Sequence, residues 1–369
     1  MSMFNFIVWN ADPEIFKLGF LSVRWYGLFF ALAFLLGQQV LLKIYKKEGR
    51  SEKYVESLTI YTLIATILGA RLGHCLFYQP EIYLKHPIEI LKIWEGGLAS
   101  HGAAVGILVA LYLYARKYPE EKYLYVLDRV VITVALGGCL IRMGNMMNSE
   151  ILGRQTLSDY GVVFVHSAQE NLTENLDKAY VKKVNIGNAK RDTIIEGQKY
   201  AVLNLQIQGG KNVTAESLNG YLKAENKIPS ILWKPEESDP PMDHVIPSLE
   251  NPKIYYTEDK NGTITANTEV YGIPRHPAQL YESFSCLLLF FLLLYLYNKK
   301  KERTPHGRIV GLFLVILFTL RFLYEFLKEP QVAFEEEMQL YMGQWLSIPM
   351  IIFGLYVLML SYRKKGEIS

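Results

Sequence analysis

The chain has 369 residues, of which half are hydrophobic and only 20% are charged. This composition excludes a disordered or collagen-like chain, and a net charge of +3 does not indicate a nucleic-acid partner. Several windows of about 20 residues carry almost no charge, which is the length that a helix needs to cross the hydrocarbon core of a bilayer. The sequence therefore predicts an integral membrane protein.

Apolar spans and short connections account for most of the chain. The short connections on one side of the spans contain 16 Lys and Arg, the short connections on the other side contain 4, and the two kinds alternate without exception. The positive-inside rule then places the N-terminus outside and the C-terminus in the cytoplasm. The first span lacks a basic leader and a small-residue cleavage site, so we expect an uncleaved anchor. The seven predicted spans are 19–42, 56–78, 96–115, 124–147, 278–297, 309–327 and 344–362.

The connection 149–277 is long and polar, and the alternation places it outside the cytoplasm. Within it, 200–207 and 253–257 have the β-branched and aromatic residues typical of strands, and Asn261 and Gly262 are a turn signal. We predict an all-α polytopic membrane protein with seven transmembrane helices and an inserted, β-containing extracytoplasmic head. The expected domains are membrane residues 1–148 with spans 1 to 4, head residues 149–277, and membrane residues 278–369 with spans 5 to 7.

Polar side chains recur near the end of the fourth span. An ionisable group at bilayer depth costs about 2.5–3.5 kcal/mol, so such groups usually face the protein interior and often mark a site. Arg142, Asn145 and Asn148 are spaced every third residue, which places them along one face of a helix. Gly144 between them permits close approach of another backbone.

A second charged pair lies in the sixth span, where Arg321 and Glu325 are four residues apart and share a helix face. Two arginines on different spans, together with amide groups, form a suitable cradle for the phosphate of an anionic lipid headgroup. Each feature also has a structural interpretation. Arg24 and Arg129 lie near span ends, where arginines commonly extend their side chains to the membrane surface as anchors. His101 is also compatible with a role in helix packing, and Arg321 with Glu325 is compatible with an internal salt bridge.

Seven sequence blocks in chain order, covering residues 11–363, make a more specific pattern. They are DPEIFKLGFLSVRWYGL, GARLGHCLFY, WEGGLASHGAAVG, RMGNMMNSEILG, RHPAQLYE, LRFLYEFLKEP and MGQWLSIPM. In this order they resemble the bacterial prolipoprotein diacylglyceryl transferases. The resemblance implies an inner-membrane enzyme that moves the diacylglyceryl group of phosphatidylglycerol onto the lipobox cysteine of a preprolipoprotein signal peptide. It implies release of glycerol phosphate, and no metal or organic cofactor.

The resemblance also implies functional residues, position by position. The matched residues are Tyr26, His101, Arg142, Asn145, Glu150, Gly153, Arg321 and Glu325. Three positions depart from the family pattern. Ala103 replaces a glycine, Leu317 replaces a tyrosine whose hydroxyl role is then in doubt, and Lys328 replaces an arginine and would hold a phosphate only as a point charge. The head is also longer than the family's usual one.

The chemistry expected of such an enzyme needs a nucleophile, which we assign to the substrate thiol. None of the chain's cysteines has a base and an orienting group at readable spacing; they are Cys75, Cys139 and Cys286. Histidine is the side chain best suited to accept the thiol proton near neutral pH, so His101 is the candidate base. The alternative leaves His101 structural and makes an arginine-held water or a carboxylate the base.

The leaving phosphate needs positive charge, which Arg142 and Arg321 would supply. Glu325 would orient Arg321, and Asn145 would donate to phosphate or glycerol hydroxyls. The remaining substrate-binding candidates at the level of the lipid headgroup are Tyr26, Arg24, Glu150 and Gly153.

Two other functional classes fit a polytopic chain with buried charge. A carrier usually has inverted repeats or paired broken helices, and neither is visible in this sequence. A non-catalytic scaffold for the outer head leaves the arginines within the spans unexplained. Solute flux without a modified product would favour a carrier, and indifference to Arg142→Ala would favour a scaffold.

Overall fold

The computed structural model describes residues 6–19, 21–92, 97, 99–158, 160–232, 245–247, 253–330, 335 and 338–366. In these ranges the chain is mostly helical, with a smaller share of β-strand. The helices are α1 Trp25–Lys47, α2 Glu52–Phe77, α3 Pro80–Lys85, α4 Ser100–Lys117, α5 Tyr123–Met147, α6 His166–Asn175, α7 Ala215–Lys223, α8 Lys227–Leu232, α9 Ala278–Lys300, α10 Arg308–Glu325 and α11 Met342–Gly366. The strands are β1 Ile7–Trp9, β2 Glu14–Leu18, β3 Leu21–Arg24, β4 Val162–Phe164, β5 Val181–Ile195, β6 Gln198–Gly209, β7 Val245–Pro247, β8 Tyr255–Glu258 and β9 Ile264–Gly272.

Among the described residues, five helices are long and apolar enough to cross a membrane: α1, α2, α5, α9 and α11. They coincide with five of the seven predicted spans, and the chain is a membrane protein as predicted. The third and sixth predicted spans correspond to α4 and α10, which have 18 residues each. Within those 18 residues α4 contains Arg116 and Lys117, and α10 contains Arg308, Arg321 and Glu325.

The first predicted span begins too early. Residues 21–24 form β3, which pairs antiparallel with β2 in the register Phe16 to Val23 and Lys17 to Ser22, and α1 begins only at Trp25. The prediction was wrong there because a hydropathy window counts the apolar residues of a hairpin as membrane segment. Strand pairing satisfies the same backbone groups that a helix would satisfy within itself.

One compact unit, here called the helix unit, comprises residues 27–141, 283–321 and 346–369. Its core contains a buried ion pair in which Arg129 Nη2 lies 2.8 Å from Glu48 Oε1 and both side chains are at most 1% exposed. The Arg129 guanidinium also lies 3.8 Å from the ring centroid of Tyr125. Arg129 is therefore not a snorkelling anchor, because its charge is compensated inside the unit.

Another carboxylate of the helix unit fixes the start of α10. Asp128 accepts hydrogen bonds from the backbone N–H of Gly307 at 2.7 Å and of Val310 at 2.9 Å. These donors have no partner within the helix, so a carboxylate there both caps α10 and complements the positive end of its dipole.

Helices α2 and α4 of the helix unit meet through glycines. A Cβ added at Gly102 would lie 2.2 Å from the carbonyl oxygen of Gly69 and 2.7 Å from Cα of Gly73, and one added at Gly106 would lie 2.5 Å from the carbonyl oxygen of Ala65. The two backbones are thus in direct contact, as expected for small residues four positions apart. Residues 94–96 and 98 of the sequence block that contains Gly102 lie outside the described ranges.

The second unit, here called the sheet unit, comprises the described parts of 1–26, 142–282 and 322–345. Its antiparallel sheet has the strand order β5-β6-β9-β7, and β8 also pairs with β9. Leu203, Leu205 and Ile207 of β6 are fully buried in a core that includes Leu172 of α6 and Leu218 of α7. The strands predicted at 200–207 and 253–257 are confirmed by β6 and, in part, by β8.

The predicted turn at residues 261 and 262 joins β8 to β9. Gly262 has φ +75°, a conformation that glycine adopts at low cost. The Asp259 carboxylate accepts hydrogen bonds from the backbone N–H of Thr263 at 2.9 Å and of Asn261 at 2.8 Å. These hydrogen bonds lower the pKa of Asp259 below its ordinary value of 3.8, because they favour the ionised carboxylate.

Candidate active site

The polar stripe at the end of α5 forms a connected chain of side chains in the sheet unit. Arg142 Nη1 donates to Asn145 Oδ1 at 3.1 Å, and Asn145 Nδ2 donates to Glu150 Oε2 at 3.1 Å. Asn148 Nδ2 donates to the other Glu150 oxygen at 2.8 Å. Ser149, just after the helix, has φ +55°, and this tight turn brings Glu150 back over Asn145. Glu150 therefore joins the predicted polar stripe of Arg142, Asn145 and Asn148 as a fourth member.

Tyr26 packs directly on this part of α5. A Cβ added at Gly144 would lie 2.9 Å from Tyr26 Cδ2, so the tyrosine ring lies against the backbone between Arg142 and Asn145. The close approach predicted for Gly144 is confirmed. Arg24 ends β3 two residues before Tyr26, and its side chain is exposed.

A buried chain of alternating charges continues from Arg142. Arg142 Nε pairs with Glu282 Oε2, and Lys328 Nζ lies 2.5 Å from the other Glu282 oxygen and 2.8 Å from Glu325 Oε2. The Lys328 side chain is 2% exposed and that of Glu325 is 6% exposed. Lys328 is therefore engaged by two carboxylates, and the phosphate contact expected of it stays a prediction.

Glu325 has a second neighbour at the start of α11. A Cβ added at Gly343 would lie 1.8 Å from Glu325 Oε1, so this carboxylate lies against the first turn of α11. A helix N-terminus carries a partial positive charge, so the Glu325 side chain lies between this helix end and the Lys328 ammonium group.

Gly153 is held in extended backbone rather than by side-chain contacts. It pairs with Lys328 in an isolated antiparallel bridge, and the Arg154 N–H donates to the Leu327 carbonyl at 2.8 Å. A Cβ at Gly153 would lie 2.2 Å from the His276 carbonyl oxygen, which leaves room only for glycine. Burial lowers the pKa of the His276 imidazole from its ordinary value, because it disfavours the charged form.

His101 belongs to the helix unit and lies in the first turn of α4. Its exposed ring packs beside two aromatic rings of the same unit, with centroid separations of 5.5 Å to Phe77 and 5.7 Å to Tyr78. In the described ranges neither ring nitrogen of His101 has a hydrogen-bond partner, so both are available to an incoming group.

Arg321 and Leu317 lie on α10 in the helix unit. The Nε atom of Arg321 is buried and, as far as the described residues extend, has no hydrogen-bond partner. A buried donor without a partner is costly, which is typical of a group that awaits a ligand. Leu317, at the position of the expected tyrosine, packs against the apolar core of the unit and provides no hydroxyl.

The comparison with known proteins covers almost the whole chain. Residues 13–360 match the family model described as prolipoprotein diacylglyceryl transferase. The chain belongs to this family. A phosphatidylglycerol–prolipoprotein diacylglyceryl transferase of Tolumonas auensis is 35% identical, over 98% of this chain and 100% of the relative. Proteins of the same name from Chloroherpeton thalassium and Porphyromonas gingivalis are 31% and 30% identical, over 99% and 97% of this chain and 97% and 95% of their own length.

Glu282 is the site residue that sequence reasoning missed. It lies in the RHPAQLYE block, but its distance along the chain from Arg142 and Lys328 does not identify either of them as an ion-pair partner. The structure places its carboxylate between Arg142 and Lys328. The sequence did contain one indication, because Glu282 lies in the second turn of a mostly apolar helix. A carboxylate in such a helix predicts a cationic partner that balances its charge.

Proposed function

We propose that this chain transfers the diacylglyceryl group of phosphatidylglycerol to the lipobox cysteine of preprolipoprotein signal peptides and releases glycerol phosphate. The observation that carries the proposal is the fixed guanidinium of Arg142, held by Asn145 and Glu282 in a chain that matches the transferase family along its length. A guanidinium that is already oriented suits a phosphodiester, because its planar donors match the phosphate oxygens.

In the proposed reaction the substrate thiolate attacks the glyceryl carbon that bears the phosphate ester. The new S–C bond forms as the C–O bond breaks, and the bonding electrons leave with the phosphate oxygen. Arg142 and Arg321 neutralise the charge that this oxygen gains. The buried Nε of Arg321, which has no hydrogen-bond partner among the described residues, supports that role.

His101 is the proposed base that takes the thiol proton before attack. Support comes from its exposed ring and from two ring nitrogens without a hydrogen-bond partner among the described residues. An imidazole accepts a proton near neutral pH without assistance from burial. The proton then passes to water.

The other assigned residues bind substrate or position the arginines. Asn145 and Tyr26 contact the headgroup, Arg24 lies at its rim, and Glu150 orients Asn145 through the hydrogen bond described above. Gly153 keeps the segment after Glu150 against its neighbouring backbone. Glu325 positions Arg321, whose helix face it shares.

The proposed topology has seven spans in the bacterial inner membrane. Helices α4 and α10 cross together with α1, α2, α5, α9 and α11, and residues 149–277 form a head outside the cytoplasm. The supporting observation is the excess of Lys and Arg in alternate connections, which places the N-terminus outside and the C-terminus inside.

The test is a transfer assay in proteoliposomes. Purified protein, phosphatidylglycerol labelled in its acyl chains and a lipobox peptide with Cys or with Ser are mixed, and label on the peptide is measured. We expect transfer to the Cys peptide only. Arg142→Ala should abolish it, whereas Arg191→Ala, which removes an exposed arginine paired with Glu269, should not. Equal labelling of the Ser peptide, or full activity of Arg142→Ala, would contradict the proposal.

A further inference from the structure

A polar cavity of about 240 Å³ lies in the sheet unit, separate from the charge chain around Arg142. One wall is the β2–β3 hairpin with the residues just before it, and the other wall is α6. The lining side chains used below are Asp12, Glu14, Lys17, Arg24, His166 and Glu170. Because nearly every lining group is ionisable or polar, the cavity does not suit an acyl chain.

The charges of the cavity are mixed and only partly paired with each other. Lys17 Nζ lies 3.5 Å from Glu14 Oε2, and His166 Nε2 lies 3.9 Å from Glu170 Oε2. Arg24 has no ion pair within the described ranges. A ligand for this cavity therefore needs both hydrogen-bond donors and acceptors, as a peptide has, and a simple anion would meet three carboxylates.

The cavity is close to the proposed reaction centre along the chain. Arg24 precedes Tyr26 by two residues, so their Cα atoms are at most about 7 Å apart. Tyr26 in turn lies against Gly144, between Arg142 and Asn145. Two or three residues of extended peptide span a distance of about 7–10 Å. A chain whose cysteine reacts beside Tyr26 therefore reaches the cavity with its next residues.

We infer that this cavity binds the two or three residues that follow the acceptor cysteine in the prolipoprotein. The inference rests on the proposed function. Lys17 and Arg24 accommodate acidic or carbonyl groups of the peptide, and Asp12 and Glu170 accommodate its amides and basic groups. The α6 wall lies in the long segment 149–277, so this segment contributes to the choice of lipoprotein.

The test compares two lipobox peptides that carry either Asp or Lys at the second and third positions after the cysteine. The variant Glu170→Lys reverses one charge of the cavity, and the Glu170 side chain is 60% exposed, so the fold should tolerate the change. The matched control is Glu174→Lys, one turn further along α6 and also exposed. Full-length protein is assayed in phosphatidylglycerol proteoliposomes, and kcat/KM is measured for both peptides.

We expect Glu170→Lys to shift the ratio of kcat/KM values towards the Asp peptide by about fivefold, the size expected for one exposed charge contact. The shift should shrink in 0.5 M salt, and Glu174→Lys should leave the ratio unchanged. An unchanged ratio in Glu170→Lys, or an equal shift in the control Glu174→Lys, would overturn the inference. Transfer by these variants would still support the proposed function. Absence of transfer by the unaltered protein to either peptide would instead refute the proposed function.

Discussion

Replacing Glu282 by Gln tests the charge chain that the structure places around Arg142. The substitution keeps the shape of the side chain and removes its charge. In the structure one carboxylate oxygen pairs with Arg142 Nε, and the other lies 2.5 Å from Lys328 Nζ. The variant therefore leaves Arg142 with Asn145 and Lys328 with Glu325, and the buried group gains one net positive charge.

The size of the effect follows from the lost charge-assisted contacts. A hydrogen bond to a charged group contributes roughly 1.5–3 kcal/mol. If the contact to Arg142 serves mainly to fix the guanidinium for the leaving phosphate, its loss raises the barrier by that amount. At about 1.4 kcal/mol for each factor of ten, kcat/KM should fall about 10- to 150-fold. Glu282→Asp keeps the charge and should lose less.

The assay measures transfer of labelled diacylglyceryl to the lipobox peptide together with the thermal midpoint of the purified protein. The matched control is Glu269→Gln, which removes a glutamate paired with Arg191 on the exposed face of the sheet and should change kcat/KM less than twofold. Wild-type kcat/KM in Glu282→Gln would refute the reasoning. Equal losses in both variants would also refute it, because the effect would then not be specific to the buried chain.

Three further changes have expected outcomes. Gly153→Ala places a Cβ 2.2 Å from the His276 carbonyl oxygen and should abolish transfer, with a lowered thermal midpoint; normal activity would contradict the backbone role. Gly102→Ala meets the Gly69 carbonyl at 2.2 Å and should destabilise the protein by about 1–3 kcal/mol in denaturant titration, whereas Ala103→Gly should cost only the helix propensity of glycine, about 0.5–1 kcal/mol. The depressed pKa of Asp259 stabilises the fold above pH 3.8, and this contribution is lost as the pH falls through the folded value. Asp259→Asn should therefore lower the urea midpoint at pH 7, and the difference from the unaltered protein should shrink as the pH falls below 3.8.

The sequence by itself determined the features that depend on local spacing. Runs of apolar residues identified the five helices that are long and apolar enough to cross a membrane, because length and composition are properties of consecutive residues. The three-residue spacing of Arg142 and Asn145 placed them on one helix face, and the strand at 200–207 followed from its β-branched and aromatic residues. The ordered sequence blocks indicated the family, which the full-length match confirmed.

Tertiary structure alone decided the contacts between residues distant in the chain. Glu282 lies 140 positions after Arg142 and 46 before Lys328, and no periodicity links them. The burial of Arg129 with Glu48 and the hairpin before α1 were likewise invisible, because each depends on a partner segment that local spacing does not specify. Buried charge must be compensated, but which carboxylate compensates which cation is fixed only when the helices and strands pack together.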